Sequence, residues 1–294
     1  MKIIRTIKSL KKELLQYNSN RDSIGFVPTM GSIHSGHLFL IQKSILENQK
    51  TICSIYINPT QFNDKEDLLN YPREELDDIK KLERTNCDIV FIPNDVEMYP
   101  HTHALMEKYN FTDCFDKLEG QKRPGHFLGV VTIVHKLFNL IRPNRAYFGE
   151  KDYQQLWIIQ LFVKTYKLPT QIIPCKTVRN NLGLALSSRN KLLSEIEKKE
   201  AIKIFKSIDF LKRKIEQSVF QDNHQIFNEQ QLYKLKKTAI QPLLSSTLIK
   251  LDYCEIIETE TFSFANYIEY NKTYQALIAV YVGKVRLIDN ISIN

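Results

Sequence analysis

Ile24 to Leu40 reads IGFVPTMGSIHSGHLFL, and the fold follows from how this run is punctuated. Ile24-Gly25-Phe26-Val27 is a short apolar run of the kind buried in a parallel sheet. Pro28 has no N–H to give a ladder and is expected to end the strand. Gly31, Ser32, Ser35 and Gly36 follow, with His34 and His37 among them. From Ser35 onward Leu38, Leu40, Ile41 and Ile45 recur at helical spacing, which predicts a helix over about 36–48. The order is therefore strand, glycine-containing loop, helix, with two histidines at the helix start. A helix N-terminus offers unpaired N–H groups and the positive end of a dipole, a setting for phosphate. Histidines three apart across a first turn can point the same way and donate to phosphate oxygens.

The same beat continues downstream. A helix is expected over 5–17 with Ile7, Leu10 and Leu14 inward. Thr51–Ile57 reads as a second buried strand ending at Asn58-Pro59-Thr60-Gln61-Phe62-Asn63, a polar loop where open α/β sheets bind ligands. Gln61 carries both a donor and an acceptor. A helix over 73–85 leads to a strand at Asp88–Ile92. Leu118–Leu140 places Gly120, Arg123-Pro124-Gly125-His126 and Gly129 in a loop before a helix from Val130 to Leu140; His135 on it reads as a packed core histidine. Arg145–Phe148 is another strand, running into Gly149-Glu150-Lys151-Asp152-Tyr153-Gln154-Gln155. There Gly149 permits backbone approach, Lys151 supplies a point charge, and Asp152 can accept from a ribose or cap the next helix. Gln155 sits one turn in. Thr170–Pro174 reads as a last strand. Strand and helix in alternation predict a Rossmann-like parallel sheet flanked by helices.

After Val178 come Asn180-Asn181-Leu182-Gly183-Leu184-Ala185-Leu186 and then Ser187-Ser188-Arg189, two hydroxyls and a guanidinium suited to phosphate oxygens. Beyond Asn190 the pattern changes to charged helices, Ser194–Ile215 and Ile226–Leu244, and strands at Leu251–Ile257, Gln275–Val282 and Val285–Ile288. A smaller α+β domain is expected there.

The Pro-Thr-Met-Gly-x-x-His-x-Gly-His run resembles the signature of the nucleotidyltransferase superfamily that includes class I aminoacyl-tRNA synthetases. With the Asn-Pro-x-Gln-Phe, Arg-Pro-Gly-His-Phe and Phe-Gly-x-Lys-Asp-x-Gln-Gln-Leu strings in the same order, the chain resembles the pantoate–β-alanine ligase family over nearly its whole length. One stretch departs: that family usually has Glu-Ala-Asp-Gly-Leu-Ala-Met before the serines, where this chain has Asn180, Asn181, Leu182 and Leu186. The resemblance implies ATP-dependent joining of pantoate to β-alanine through a pantoyl adenylate. It also implies an ATP site of Met30, Gly31, Ser32, Ile33, His34, Ser35, Gly36, His37, Gly149, Glu150, Lys151, Asp152, Val178, Leu186, Ser187, Ser188 and Arg189. His37, His34 and Lys151 would be catalytic, and Gln61 and Gln155 would hold pantoate, with Gln61 also touching β-alanine. Residues 1–176 would bind ATP and pantoate, and 177–294 would carry the phosphate-contacting loop and close over the site. Magnesium would arrive with ATP as substrate, with no protein-held metal, and the family implies a cytoplasmic homodimer.

Bulk properties fit an enzyme. The chain has 294 residues, 43% hydrophobic and 25% charged, enough for a real core. No run of about 18 apolar residues suggests a membrane span, and the basic N-terminus lacks the apolar core of a signal peptide. Cysteines 53, 87, 114, 175 and 254 form no Cys-x-x-Cys pair and read as small buried hydrophobes. The net charge of +8 raises nucleic acid as a partner. Yet Lys191–Lys237 alone holds 11 Lys and Arg against 7 Asp and Glu, in what read as solvated helices. No aromatic–basic RNA motif accompanies the charge, so small-molecule substrates and neither nucleic acid nor membrane are expected. The close pair His101 and His103 makes a poor metal site for want of further ligands. A different nucleotidyltransferase would share the histidine motif without needing the two glutamines.

Overall fold

A computed structural model describes residues 1–17, 23–100, 109, 113–221 and 228–293. His101 and His103 lie outside these residues. The chain divides into two compact units, Met1–Thr177 and Val178–Asn294.

The first unit runs β1 (Lys2–Ile4), α1 (Ile7–Leu14), β2 (Ile24–Thr29), α2 (Ser35–Glu47), β3 (Lys50–Ile55), α3 (Lys65–Leu69) and α4 (Glu75–Glu83). It continues through β4 (Ile89–Phe91), α5 (Asp95–Met98), α6 (Glu119–Lys122), α7 (His126–Ile141), β5 (Arg145–Gly149), α8 (Tyr153–Thr165) and β6 (Gln171–Cys175). The strands form one parallel sheet in the order β1-β4-β3-β2-β5-β6. One face packs Phe26, Ile52 and Ile89 against Leu10 of α1, Val130, Val134 and Leu137 of α7, and Leu156 and Ile159 of α8. The other packs Val27, Cys53 and Val90 against Leu40 and Ile41 of α2 and Ile79 and Leu82 of α4. Alternate residues of one strand thus feed opposite layers, which is why the strands read as continuous apolar runs. All five cysteines are buried and unbridged.

Three expectations shift. Pro28 does not end β2; it pairs with Ser54, and the strand reaches Thr29. Thr29 O accepts from Tyr56 N on the β3 side, so Pro28 turns its nitrogen toward β5, where pairing has already stopped at Phe26 and Ala146. The missing donor costs no ladder bond. The helix expected from Val130 begins at His126, because Gly125 at φ +80° caps it in the left-handed region. Asp152 stands at the N-cap of α8 but makes no capping bond; it pairs with Lys151 Nζ at 3.2 Å.

The second unit holds α9 (Glu195–Glu216) and α10 (Glu229–Leu244) on an antiparallel sheet of β7 (Ile249–Glu258), β8 (Ser263–Phe264), β9 (Tyr274–Val282) and β10 (Val285–Ile293), ordered β10-β9-β7-β8. Ser194 with Glu197 and Asn228 with Gln231 form capping boxes that start the helices. Ile204, Ile208 and Leu211 of α9 and Leu243 of α10 meet Ile278, Val280 and Val282 of β9. β10 runs five residues past the expected Ile288, since Asp289–Ile293 continue the pairing with β9. Among the described residues no helix is long and apolar enough to cross a membrane.

Candidate active site

In the first unit the chain builds β2, β3 and β4 outward in one direction, then returns to place β5 on the other side of β2. The reversal leaves a crevice beyond the carboxyl ends of β2 and β5, the place where open α/β sheets take ligands. β2 delivers Met30–His37 there, and β5 delivers Gly149–Asp152. Two motifs more than 110 positions apart in sequence are thereby carried to one crevice.

His34 is the N-cap of α2, and its Nδ1 accepts from Gly36 N at 3.1 Å. That bond places the proton of a neutral ring on Nε2, leaving Nε2–H as the donor. A Cβ at Gly36 would lie 2.8 Å from His34 Cε1 and displace that ring. His37 stacks on His34, ring centroids 4.0 Å apart and 27° between planes. Part of the His37 side chain stays open to solvent, but its Nδ1 is enclosed and has no partner among the described residues. Orphaned N–H groups are rarer than orphaned acceptors, so Nε2 again carries the proton. Burial, then the neighbouring His34, pushes the His37 pKa down to about 3; Lys151 and Lys81 act in the same sense and Asp152 against it. Lys151 and Asp152 are therefore close enough to feel the charge of this ring. Lys151 is only 19% exposed.

The loop before the histidines is held from α4. Gly31 at φ +82° and Ser32 at φ +49° turn successive amides inward. Asp78, 1% exposed, accepts from Ser32 N at 2.7 Å and Ile33 N at 2.6 Å. Lys81 Nζ donates to Ile33 O at 2.7 Å. Burial raises the Asp78 pKa, against the two amide bonds and Lys81. Three of the loop amides have internal partners: Ser32 N–H and Ile33 N–H meet the Asp78 carboxylate, and Gly36 N–H meets His34 Nδ1.

Gln61 is buried at the end of a single turn, Pro59–Gln61. Its Oε1 accepts from Asn58 Nδ2 at 3.2 Å, and its Nε2 reaches Met30 Sδ at 3.1 Å. A thioether is a weak acceptor, so a ligand oxygen would replace it at a gain. The turn is fixed from α7. His126 Nδ1 donates to Gln61 O at 2.8 Å, and Asn58 Nδ2 also reaches Gly129 O at 3.1 Å. A Cβ on Gly129 would stand 2.4 Å from Thr60 O, so this contact admits only glycine. His126 is enclosed, and burial followed by Arg123, whose Nη1 lies 3.2 Å from Nε2, lowers its pKa to about 4. Gln155 is half-buried. Its neighbour Gln154 is consumed structurally, accepting from Glu119 N and donating to Cys114 O and Lys117 O. His135 is half-buried against Tyr109 and Phe162.

Val178, Leu186, Ser187, Ser188 and Arg189 belong to the second unit. Ser187 Oγ accepts from Arg189 N at 3.3 Å and caps the turn Ser188–Leu192. Among the described residues no group of three or more His, Cys, Asp or Glu is arranged to hold a metal ion. Asp78 and Gly129 were not singled out by sequence as holding the histidine loop and the Gln61 turn. The one local signal for Asp78 was an acid on the apolar face of α4, four residues before Leu82.

The doubly wound sheet, with paired histidines and a lysine at its switch point, defines an α/β nucleotide-using enzyme. The Pantoate-beta-alanine ligase family profile matches residues 2–292. The pantothenate synthetase of Azobacteroides pseudotrichonymphae is 41% identical over 293 residues, covering 99% of this chain and all of the relative. That of Fervidobacterium nodosum is 41% identical over the full length of both. Pantothenate synthetase from Thermus thermophilus superposes with a TM-score of 0.88 at 33% identity, covering 99% of each chain. The Francisella tularensis pantoate-beta-alanine ligase, solved with beta-gamma ATP and beta-alanine, gives 0.77 at 36% identity, covering 99% of this chain and 97% of its own. The chain belongs to the pantoate–β-alanine ligase family. Its activity is the ATP-dependent condensation of pantoate with β-alanine to pantothenate through an acyl adenylate, releasing AMP and pyrophosphate.

Proposed function

We propose that the crevice at the β2–β5 switch point carries both half-reactions and that His37, His34 and Lys151 are its catalytic groups. The observation that carries this reading is the convergence of the stacked His34–His37 pair with Lys151 at one crevice. In the first half-reaction a carboxylate oxygen of pantoate bonds to the α-phosphorus of ATP, and the bond from that phosphorus to the bridging oxygen breaks. Pyrophosphate leaves with the electron pair. Chemistry of this kind needs positioning and charge stabilisation more than a protein nucleophile. The Nε2–H groups of His34 and His37 supply donors toward the phosphate oxygens, and Lys151 supplies the cation. Because burial keeps His37 neutral at working pH, it acts as a hydrogen-bond donor and not as an imidazolium.

Gln61 and Gln155 hold pantoate, with Gln61 Nε2 exchanging the Met30 sulfur for a pantoate oxygen. In the second half-reaction the β-alanine amine attacks the acyl carbon, AMP departs from it, and the amine proton is lost. Met30 to His37, Gly149 to Asp152, Val178 and Leu186 to Arg189 are the nucleotide-binding residues. Magnesium comes bound to the ATP phosphates, as its preference for water and phosphate oxygen favours; no protein carboxylate cluster is needed to bring it. A cytoplasmic homodimer without nucleic-acid or membrane partners is the accompanying proposal.

His37→Ala is expected to slow pantoate-dependent ATP–pyrophosphate exchange by roughly 10²–10³-fold, the cost of losing one preorganised hydrogen-bond donor, with the fold retained by circular dichroism. Exchange at the wild-type rate would remove His37 from the mechanism.

A further inference from the structure

The Leu186–Arg189 segment is rooted in a polar cluster within the second unit. Arg179 donates through Nη1 to Asp289 Oδ2 at 2.6 Å and through Nη2 to Asp289 Oδ1 at 2.8 Å, a bidentate pair. Nη1 also reaches Gly183 O at 3.0 Å and Nη2 reaches Asn290 O at 3.1 Å. The guanidinium lies over the Phe205 ring of α9, 4.2 Å from its centre. Asp289 is 4% exposed and also accepts from Asn290 N at 2.8 Å.

This cluster does not simply join two core elements. It grips a turn. Arg179 pairs with Ala185 as an isolated bridge, and Asn180 Oδ1 accepts from Leu182 N and Leu184 N, both at 3.0 Å. Leu186 N donates to Val178 O at 2.9 Å where the segment leaves the turn. Asn190 Nδ2 donates to Ala185 O at 2.9 Å where it returns. Both ends of Leu186–Arg189 are thus tied to the turn that Arg179 fixes to β10 and α9.

We propose that Arg179 and Asp289 are positioning residues for ATP use, acting through Leu186–Arg189. The proposal rests on the reading that this segment contacts the phosphates. A guanidinium holds a carboxylate and a carbonyl in one plane; an ammonium cannot. A displacement of about 1 Å in a charge-bearing loop costs up to ~10²-fold in rate. Exposed ion pairs contribute little, but breaking an enclosed pair strands a charge.

The test is pantoate-dependent ATP–pyrophosphate exchange by Arg179→Lys, Asp289→Asn, the double variant, Phe205→Leu and Arg189→Ala. Arg179→Lys is expected to lower kcat/KM for ATP by about tenfold or more while the KM for pantoate stays unchanged. Asp289→Asn should do the same, and the double variant should be no worse than either alone, as expected of residues acting as one unit. A merely structural pair would lower the folded fraction and leave the ATP and pantoate constants of the folded enzyme alone. If Arg179→Lys does not fold, Phe205→Leu, which removes the stacking face, carries the test with the same expectation. Slow Arg189→Ala together with wild-type constants in Arg179→Lys and Phe205→Leu would overturn the positioning role alone. Wild-type ATP use by Arg189→Ala would overturn the reading of the segment and the proposal with it.

Discussion

His37 and His126 hold imidazoles that stay neutral where a free histidine takes up a proton. Their pKa values are driven down to about 3 and about 4 from 6.5, chiefly by burial. Below about 6.5 the unfolded chain therefore binds protons that the folded chain refuses, and stability is lost as pH falls from there toward about 4. Asp78 works the other way: its raised carboxyl costs stability at neutral pH, and acidification relieves that cost. The histidines set the net sign because there are two of them and both are driven far down, to about 3 and about 4, against one raised carboxyl. The urea midpoint should drop between neutral pH and about pH 5, and His126→Gln should flatten that drop. An identical pH slope in His126→Gln would show that its neutrality contributes nothing. At this scale the pairing of His34 with His37 was legible because its spacing is local. Asp78 was not: it meets Ser32 and Ile33 across 46 and 45 positions, and no local pattern encodes a partner that distant.

At the scale of elements, periodicity located β2 to β7, β9, β10 and the long helices but not the two-residue β8, and turn chemistry decided their ends. Pro28 misled because a proline stops a strand only if its nitrogen faces a neighbour, and the early end of β5 pairing removed that neighbour. The start of α7 was hidden in the Arg-Pro-Gly-His string, since Gly125 caps the helix by conformation and not by a side chain. That earlier start brings Gly129 onto the helix against the Gln61 turn. Gly129→Ala should lower stability by about 1–3 kcal/mol, the usual cost of overpacking. By moving Gln61 it should also raise the KM for pantoate more than that for ATP. Equal changes in both constants would detach Gln61 from pantoate.

At the scale of the molecule, alternating strands and helices announced a parallel sheet but not its strand order. That order makes the site, because the reversal between β2 and β5 sets the histidine loop and the lysine loop at one crevice. Order is fixed by non-local packing of α2 and α4 on one face and α1, α7 and α8 on the other, and it cannot be read from any window of sequence. The second unit was legible as helices and strands, while the Arg179–Asp289 link that roots its Leu186–Arg189 segment spans 110 positions. The most direct test of the central claim is ATP–pyrophosphate exchange by the purified protein with magnesium, with and without pantoate. Exchange that appears only when pantoate is present is the predicted result, since pyrophosphate can re-enter only if an adenylate of that acid has formed. Folded protein that gives no exchange with pantoate, or equal exchange without it, would contradict the account.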